Sequence, residues 1–413
     1  MIEAGYATTD ATPPTLSVSL SLQPVYFVGD TIRGTFSAVD NVQLRWLYWE
    51  LQPAGIRDSG TVYGTSMYGD IGLRVPAPWI GENTLSFWAV DASGLESDTA
   101  RTALLAIRAL PTITRPTATA TVPGEPRGAL IDEKRGRVYL LQGNPDGIAF
   151  LDASSLAITT TLPLPIQGQD FDFTPGGDSL VVTLAGAAAL GVIDLQSATP
   201  QLTLLPLPAV DTTRHLPLHV RTVANGRALV HLSGRVPNTD ALLEVDLAGG
   251  GQRLRTDAGS AGFVGFGLLE STRDRSALIL SGGVDLFQRY ESSTDTFGPL
   301  RTSTVVGPPA VDASGSHVVV GMDLYDATLM YLRSIEPSDP RPVALGPAAD
   351  YVYSSAPDNT VWRTRVTDGK LQDRFRIPIY ADRLFVSPGG TLLVATLPDY
   401  GYTVTRVCRV TLD

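Results

Sequence analysis

Cysteine is nearly missing from this 413-residue chain, where Cys408 stands alone. That excludes an intramolecular disulfide, a cysteine-rich zinc site and an iron–sulfur cluster. Histidine is also scarce, with four residues, which leaves little for a histidine-rich metal centre. Lysine is reduced to Lys134 and Lys370, so arginine supplies 29 of the 31 basic residues. Either a GC-rich coding sequence or a preference for planar, bidentate ion pairs produces such a bias. No run of 18 apolar residues occurs, and no segment reads as a membrane-spanning helix. Residues 1–12 have neither a basic region nor an apolar stretch and do not read as a signal peptide. Basic charge is in deficit as well: 42 acidic side chains give a net charge of −11. Such a field repels nucleic acid and anionic membrane surfaces.

Turns are what the chain has in abundance. It holds 40 glycines and 30 prolines, and hydrophobic residues make up 43%. No window sustains a 3.6-residue period. Short runs of Val, Leu, Thr and aromatics recur instead, bounded by Gly, Pro, Asp and Ser, so the fold class is all-β.

The first 110 residues stand apart. Trp46, Trp49, Trp79 and Trp88 fall there, and Trp362 alone lies later. Strands are expected at 15–22, 31–39, 44–51, 72–75, 84–90 and 101–107. So many short strands in about 100 residues suit a β-sandwich. The phrases SAVDN at 37–41 and WAVDASG at 88–94 echo each other, and PPTL opens the segment at 13–16. With these phrases, residues 12–108 resemble the immunoglobulin-like modules of bacterial surface proteins. The disulfide of antibody-type domains has no counterpart here. Residues 111–117, PTITRPT, read as a short stiff linker.

From residue 118 the chain repeats. A turn followed by an aliphatic strand recurs around Val138, Leu180, Ala228, Ala277, His317, Tyr351 and Leu392, at spacings of 42, 48, 49, 40, 34 and 41. A period near 40 with about four strands per unit indicates a β-propeller. Third strands are expected to end in Asp152, Asp194 and Asp246, whose carboxylates bond the next turn. The stretches ATATVPGEPRGALIDEKRGRVYLLQG, from 118, and YVYSSAPDNTVWRTRVTDGKL, from 351, resemble the YVTN-type propeller repeats of prokaryotic surface and lactonase-like proteins. The last unit ends one strand short of four, and residues 117–122 look like the missing outer strand. The expectation is a seven-bladed propeller over 118–413, closed by that strand.

Motifs for chemistry are sparse. There is no Gly-x-Ser-x-Gly elbow, phosphate loop, haem-attachment motif or Ser-x-Asp-x-Gly-x-Thr-Trp box. No catalytic residue is therefore assigned. His215 and His219 have a helical metal spacing, but Pro217 between them argues for an extended segment. His231 and His317 read as structural histidines. Asp170 and Asp172 alternate with Phe171 and Phe173 on an innermost strand, either as channel carboxylates or as turn caps. Asp40 and Asp91 close the two echoed phrases at one apex of the sandwich. They cap turns or share a Ca2+, the one cofactor the pattern accommodates.

The loops joining second to third strands gather at the channel mouth in the expected fold. They supply the candidate binding residues Asn144, Asp146, Arg235, Asn238, Asp323, Asp358, Asp399, Tyr400 and Tyr402. Aromatics beside carboxylates suit recognition of a protein or a glycan. The leading expectation is a non-enzymatic binding protein, extracellular or in the cell envelope after removal of a signal peptide. It uses the immunoglobulin-like unit as a spacer for the propeller. A lactonase-like hydrolase or lyase working in the channel is the competing reading, and a structural subunit of a surface layer or fibre is the third.

Overall fold

Strand Thr31–Val39 shows how the sequence writes the first unit: Ile32, Phe36 and Ala38 are buried while Arg33, Ser37 and Val39 are exposed. The computed structural model describes residues 10–412 except 23–24, 29, 54, 76–78, 103–104, 209, 212, 236–239, 259–267, 282–285, 303–308, 336–342, 357–358, 388 and 397–403. No helix among the described residues is long and apolar enough to cross a membrane. The chain divides into two compact units, Met1–Pro111 and Thr112–Asp413.

In the first unit, Thr15–Ser21, Thr31–Val39 and Ser66–Arg74 form one antiparallel sheet. A second sheet runs Val25–Phe27, Leu105–Arg108, Gly81–Asp91, Leu44–Gln52, Ile56–Thr61, with Ala100–Arg101 beside Gly81–Asp91. Ile32, Phe36 and Ile71 of the first sheet share a core with Leu51, Leu85, Phe87, Leu105 and Ile107 of the second. The strand expected at 72–75 is the end of the longer Ser66–Arg74, and Ile56–Thr61 is a strand that alternation did not reveal. Its sequence, IRDSGT, is polar because the strand sits at the sheet edge.

In the second unit every sheet begins on an inner strand: Glu125–Asp132, Gly168–Phe173, His215–Val223, Leu268–Ser271, Pro309–Val311, Val343–Leu345 and Arg383–Val386. Each touches the first strand of the next sheet, and the last returns to Glu125–Asp132. Second strands such as Arg137–Gly143 are buried nearly throughout, whereas the outer Ile158–Pro163 is mostly exposed. The cores lie between sheets. Tyr139 and Phe150 pack on Phe171 and Leu180 of the next sheet. Around the ring, Val122, Leu393 and Val407 pack on Val138 and Leu140 and so join the last sheet to the first.

The last sheet is ordered Thr117–Pro123, Val404–Thr411, Thr391–Thr396, Arg383–Val386. Its outer strand comes from the start of the unit and pairs antiparallel from Thr117↔Val410 to Pro123↔Val404. The preceding residues differ from a free linker. Thr112–Ile113 pairs in parallel with Leu371–Arg376, and the Arg115 guanidinium lies over Phe375 and donates to the Thr411 carbonyl. Two prolines in seven residues favour extended chain, and an extended chain can also lie along a sheet edge.

The turns between first and second strands share one backbone feature. Gly136, Gly177, Gly226, Gly315 and Gly390 take positive φ there, and so do Arg275 and Ala349, at 60° and 56°. A Cβ in that region costs about 1–2 kcal/mol. Ala349→Gly is therefore expected to stabilise the chain by about 0.5–1 kcal/mol, and Gly226→Ala to destabilise it by about 1 kcal/mol. Urea unfolding of both variants checks this, and equal and opposite signs from those expected would refute it. The expected aspartate turns are present: Asp152 accepts from the Ser154 and Ser155 amides, Asp194 from Gln196 and Asp246 from Ala248.

An arginine cluster clamps two neighbouring sheets from outside. Arg255, whose side chain is 1% exposed, bonds Glu244 on its own sheet and Asp295 on the next. Arg227 and Arg253 reach the same two acids, and Tyr290 and Phe297 lie against the Arg255 guanidinium.

Candidate functional site

The inner strands, with the turns that follow them, line a cavity of about 1310 Å³. Alternation along Gly168–Phe173 sends Asp170 and Asp172 toward the neighbouring inner strand, His215–Val223. Asp170 accepts from the Val220 amide at 3.1 Å and from Arg221 Nη1 at 2.7 Å. Arg221 reaches onward to Glu270 at 3.3 Å, so one guanidinium bridges two carboxylates across adjacent strands. Asp172 accepts from the Thr222 amide at 2.8 Å and is held by both terminal nitrogens of Arg275. Arg275, like Ala349, keeps a left-handed backbone where the other turns use glycine. Its side chain explains why glycine is not there: the strain is retained where a cavity ion pair needs it.

Asp172 thus braces the next sheet rather than capping its own turn. The capping falls to Thr174, whose hydroxyl bonds both the amide and the carbonyl of Ser179. At the turn end of the cavity, Arg135 joins Asp132 to Asp178 and to the Gly177 carbonyl. Glu133 accepts from Ser387 Oγ and the Gly389 amide, again across a sheet boundary.

Charge follows from this wiring. Burial works to raise Asp170, yet Arg221 and His219 hold its carboxyl below the usual aspartate value. Burial is also the main influence on Glu270, and with repulsion from Asp172 and Asp170 it outweighs Arg221, so this carboxyl sits above its ordinary value. Glu270 keeps 40% of its side-chain surface open to the cavity while protein surrounds it on the other sides. His219 stacks on His231 at 5.7 Å, and His231 meets Asp240 at 3.2 Å. Burial lowers the His231 pKa, which keeps that ring neutral. His317 is tied to Asp312 at 3.0 Å in a turn. The lone Cys408 is buried, with its thiol pushed up to about 12 by that burial.

The sequence-derived candidates fall elsewhere. Asn144 and Asp146 lie in the turn between Arg137–Gly143 and Gly147–Asp152; Asn144 is exposed and Asp146 pairs with Arg127 at 3.5 Å. Arg235 is exposed just past Arg227–Gly234. Asp323 requires a correction: it opens strand Asp323–Asp326, is buried, and accepts from Ser334 Oγ at 2.7 Å. The preceding strand ends at Val320, where the loop was expected to begin, but the turn is only two residues long, so the next strand starts at Asp323 rather than after Asp326. Asn238, Asp358, Asp399, Tyr400 and Tyr402 lie outside the described residues. None of Asn144, Asp146, Arg235 or Asp323 lines the cavity.

In the first unit, Asp40 and Asp91 do come together, and Asp10 joins them; one carboxylate oxygen of each lies within 4.8 Å of the others. Sequence reading missed Asp10, which stands in no motif. It also missed Arg221 and Glu270, for which a pattern of charged residues on successive inner strands was the available signal.

No family model matches the chain, and no curated protein matches it. Among solved structures, the chain is similar to the crystal structure of the Myceliophteria thermophila Cps50 (Swd1) beta-propeller domain, with a TM-score of 0.53 and 11% identity over 72% of this chain and 100% of that one. At that identity the likeness concerns the fold alone. The chain is all-β with a β-propeller fold.

Proposed function

We propose that the chain is a non-enzymatic interaction protein of the cell envelope, in which an immunoglobulin-like unit carries a seven-bladed propeller that binds a protein or a glycan. The observation that carries the reading is the state of the cavity acids. Asp132, Asp170, Asp172 and Glu270 are each bonded to an arginine, and Glu133 and Asp312 are held by serines and backbone amides. Carboxylates whose oxygens are committed in this way brace neighbouring sheets, and among them Glu270 alone carries a raised carboxyl. Seven inner strands in cyclic contact, and closure by Thr117–Pro123, support the blade number. Two sheets on one core support the immunoglobulin-like assignment. Propeller faces commonly serve as recognition platforms, and a net charge of −11 disfavours nucleic acid as the partner.

Glu270, a raised carboxyl open to the cavity, favours the hydrolase as the second reading. One pair of experiments separates them. Capture of an envelope protein or glycan by the full chain, lost in Asp358→Ala with Tyr402→Ala at unchanged melting temperature, supports the binding reading. Lactone hydrolysis by the purified chain that disappears in Glu270→Gln would overturn it.

A further inference from the structure

We infer that Asp10, Asp40 and Asp91 form a Ca2+ site at one end of the N-terminal unit. Each carboxylate is anchored through one oxygen. Asp40 Oδ2 accepts from the Val42 and Gln43 amides at 2.8 and 2.6 Å. Asp91 Oδ1 accepts from the Leu95 amide at 2.8 Å. Asp10 Oδ1 accepts from the Thr12 amide and from Asn41 Nδ2, both at 3.1 Å. Turn capping accounts for these oxygens. It does not account for the other three: Asp10 Oδ2, Asp40 Oδ1 and Asp91 Oδ2 are buried and have no hydrogen-bond partner.

Burial makes that a strong statement. Asp40 is 5% exposed and Asp91 0%, and one oxygen of each of the three residues lies within 4.8 Å of the others. Buried carboxylate oxygens left without a donor are costly, and grouping them adds mutual repulsion. None of the three is ion-paired to an arginine, lysine or histidine among the described residues. A bound cation satisfies the oxygens and cancels the repulsion together.

The donor set selects the metal. It is all oxygen, which disfavours zinc and softer ions. Three carboxylates from separate chain segments suit calcium, which takes about six to eight oxygens in adaptable geometry, better than magnesium, which keeps its water and uses one or two carboxylates. Water and backbone carbonyls would supply the remaining ligands. The position gives the ion a mechanical role. Asp40 follows Thr31–Val39 in one sheet, Asp91 ends Gly81–Asp91 in the other, and Asp10 precedes Thr15–Ser21. The ion would pin both layers and the incoming chain at one point.

The test uses the full chain, stripped with EDTA and titrated with CaCl2 in a calorimeter. Thermal unfolding is followed by tryptophan fluorescence, which reports mainly on this unit because four of the five tryptophans lie in it. Expected are binding of about one Ca2+ per chain and a melting transition several degrees higher in Ca2+ than in EDTA. Asp10→Asn, at a partly exposed position, should fold normally in EDTA yet bind Ca2+ roughly 10-fold or more weakly. Asp91→Asn should lose the Ca2+ response and, freed of repulsion, melt no lower than the parent in EDTA. The inference is overturned by absence of binding at millimolar Ca2+, by unchanged affinity in Asp10→Asn, or by preference for Mg2+. It also falls if Asp91→Asn destabilises equally in Ca2+ and EDTA, since the acids would then only cap turns.

Discussion

A chain beginning at residue 124 will melt roughly 10 °C or more below one beginning at residue 112. The difference is the strand Thr117–Pro123 with the segment before it. That strand pairs with seven successive residues of Val404–Thr411, from Val404 to Val410, and places Val122, fully buried, between the last sheet and the first. Burying one such valine is worth about 1.5–3 kcal/mol. The ladder bonds add about 1 kcal/mol each, so a loss of at least about 5 kcal/mol is expected, at about 2 °C or more per kcal/mol for a unit of this size. The shortened chain also bares the edge of Val404–Thr411, so aggregation should accompany the lower transition. Calorimetry of the two shortened chains is the measurement. Coincident transitions would mean that the strand does not hold the ring shut.

Arg255→Met will cost about 3 kcal/mol, the penalty expected when one partner is removed from a buried charge cluster. Glu244 and Asp295 lose their most buried donor, although Arg227 and Arg253 remain to soften the effect. Arg253→Met is the control. Its side chain is 54% exposed, so less than about 1 kcal/mol should be lost. The deficit of the Arg255 variant should also depend on pH. Although burial acts in the other direction, bonds from Arg253, Arg227 and Arg255 hold the Asp295 carboxyl well below the usual range. A depressed carboxyl contributes stability that is fully present above its unfolded value, about 3.9, and is lost as pH falls through the folded one. The gap between parent and variant should therefore be constant near neutrality and shrink in strong acid. Denaturant midpoints across pH check this, and a gap that widens in acid would refute the pairing.

The two predictions draw on features that sequence reading captured unequally. The repeat was legible because its punctuation is local: a glycine at a positive-φ turn and an aliphatic run leave the same trace each time, as at Gly226 and Ala228–Val230. The pairing of Thr117–Pro123 with the last strand has a visible cue too, because a unit short of one strand and an unassigned strand elsewhere can be matched by counting. The arginine bias hinted at bidentate pairs, and the clusters around Arg221 and Arg255 are of that kind. Which acids they meet could not be read, since Asp172 and Arg275 are 103 residues apart and meet only through the curvature of the ring. Asp323 misled because a polar residue after a glycine resembles a loop, whereas a buried serine bond can hold it in a strand. Asp10 was invisible because a cluster of carboxylates assembled from separate chain segments leaves no spacing to recognise.

The pairing of Thr117–Pro123 with Val404–Thr411 also sets an order of events during biosynthesis. The first of these strands leaves the ribosome early, and its partner follows after nearly the whole unit has been made. Until then the early strand has no ladder to join, and Val122 has no complete pocket. The sheets between can form as they emerge, since each is built from strands close in sequence. Pairing these strands is a loop closure across almost 300 residues, whose entropic cost grows only slowly with length but which cannot begin before Val404 has emerged. A quality check is thereby built into the topology: a chain terminated early cannot complete the ring, and its unpaired strands remain open to chaperones and proteases.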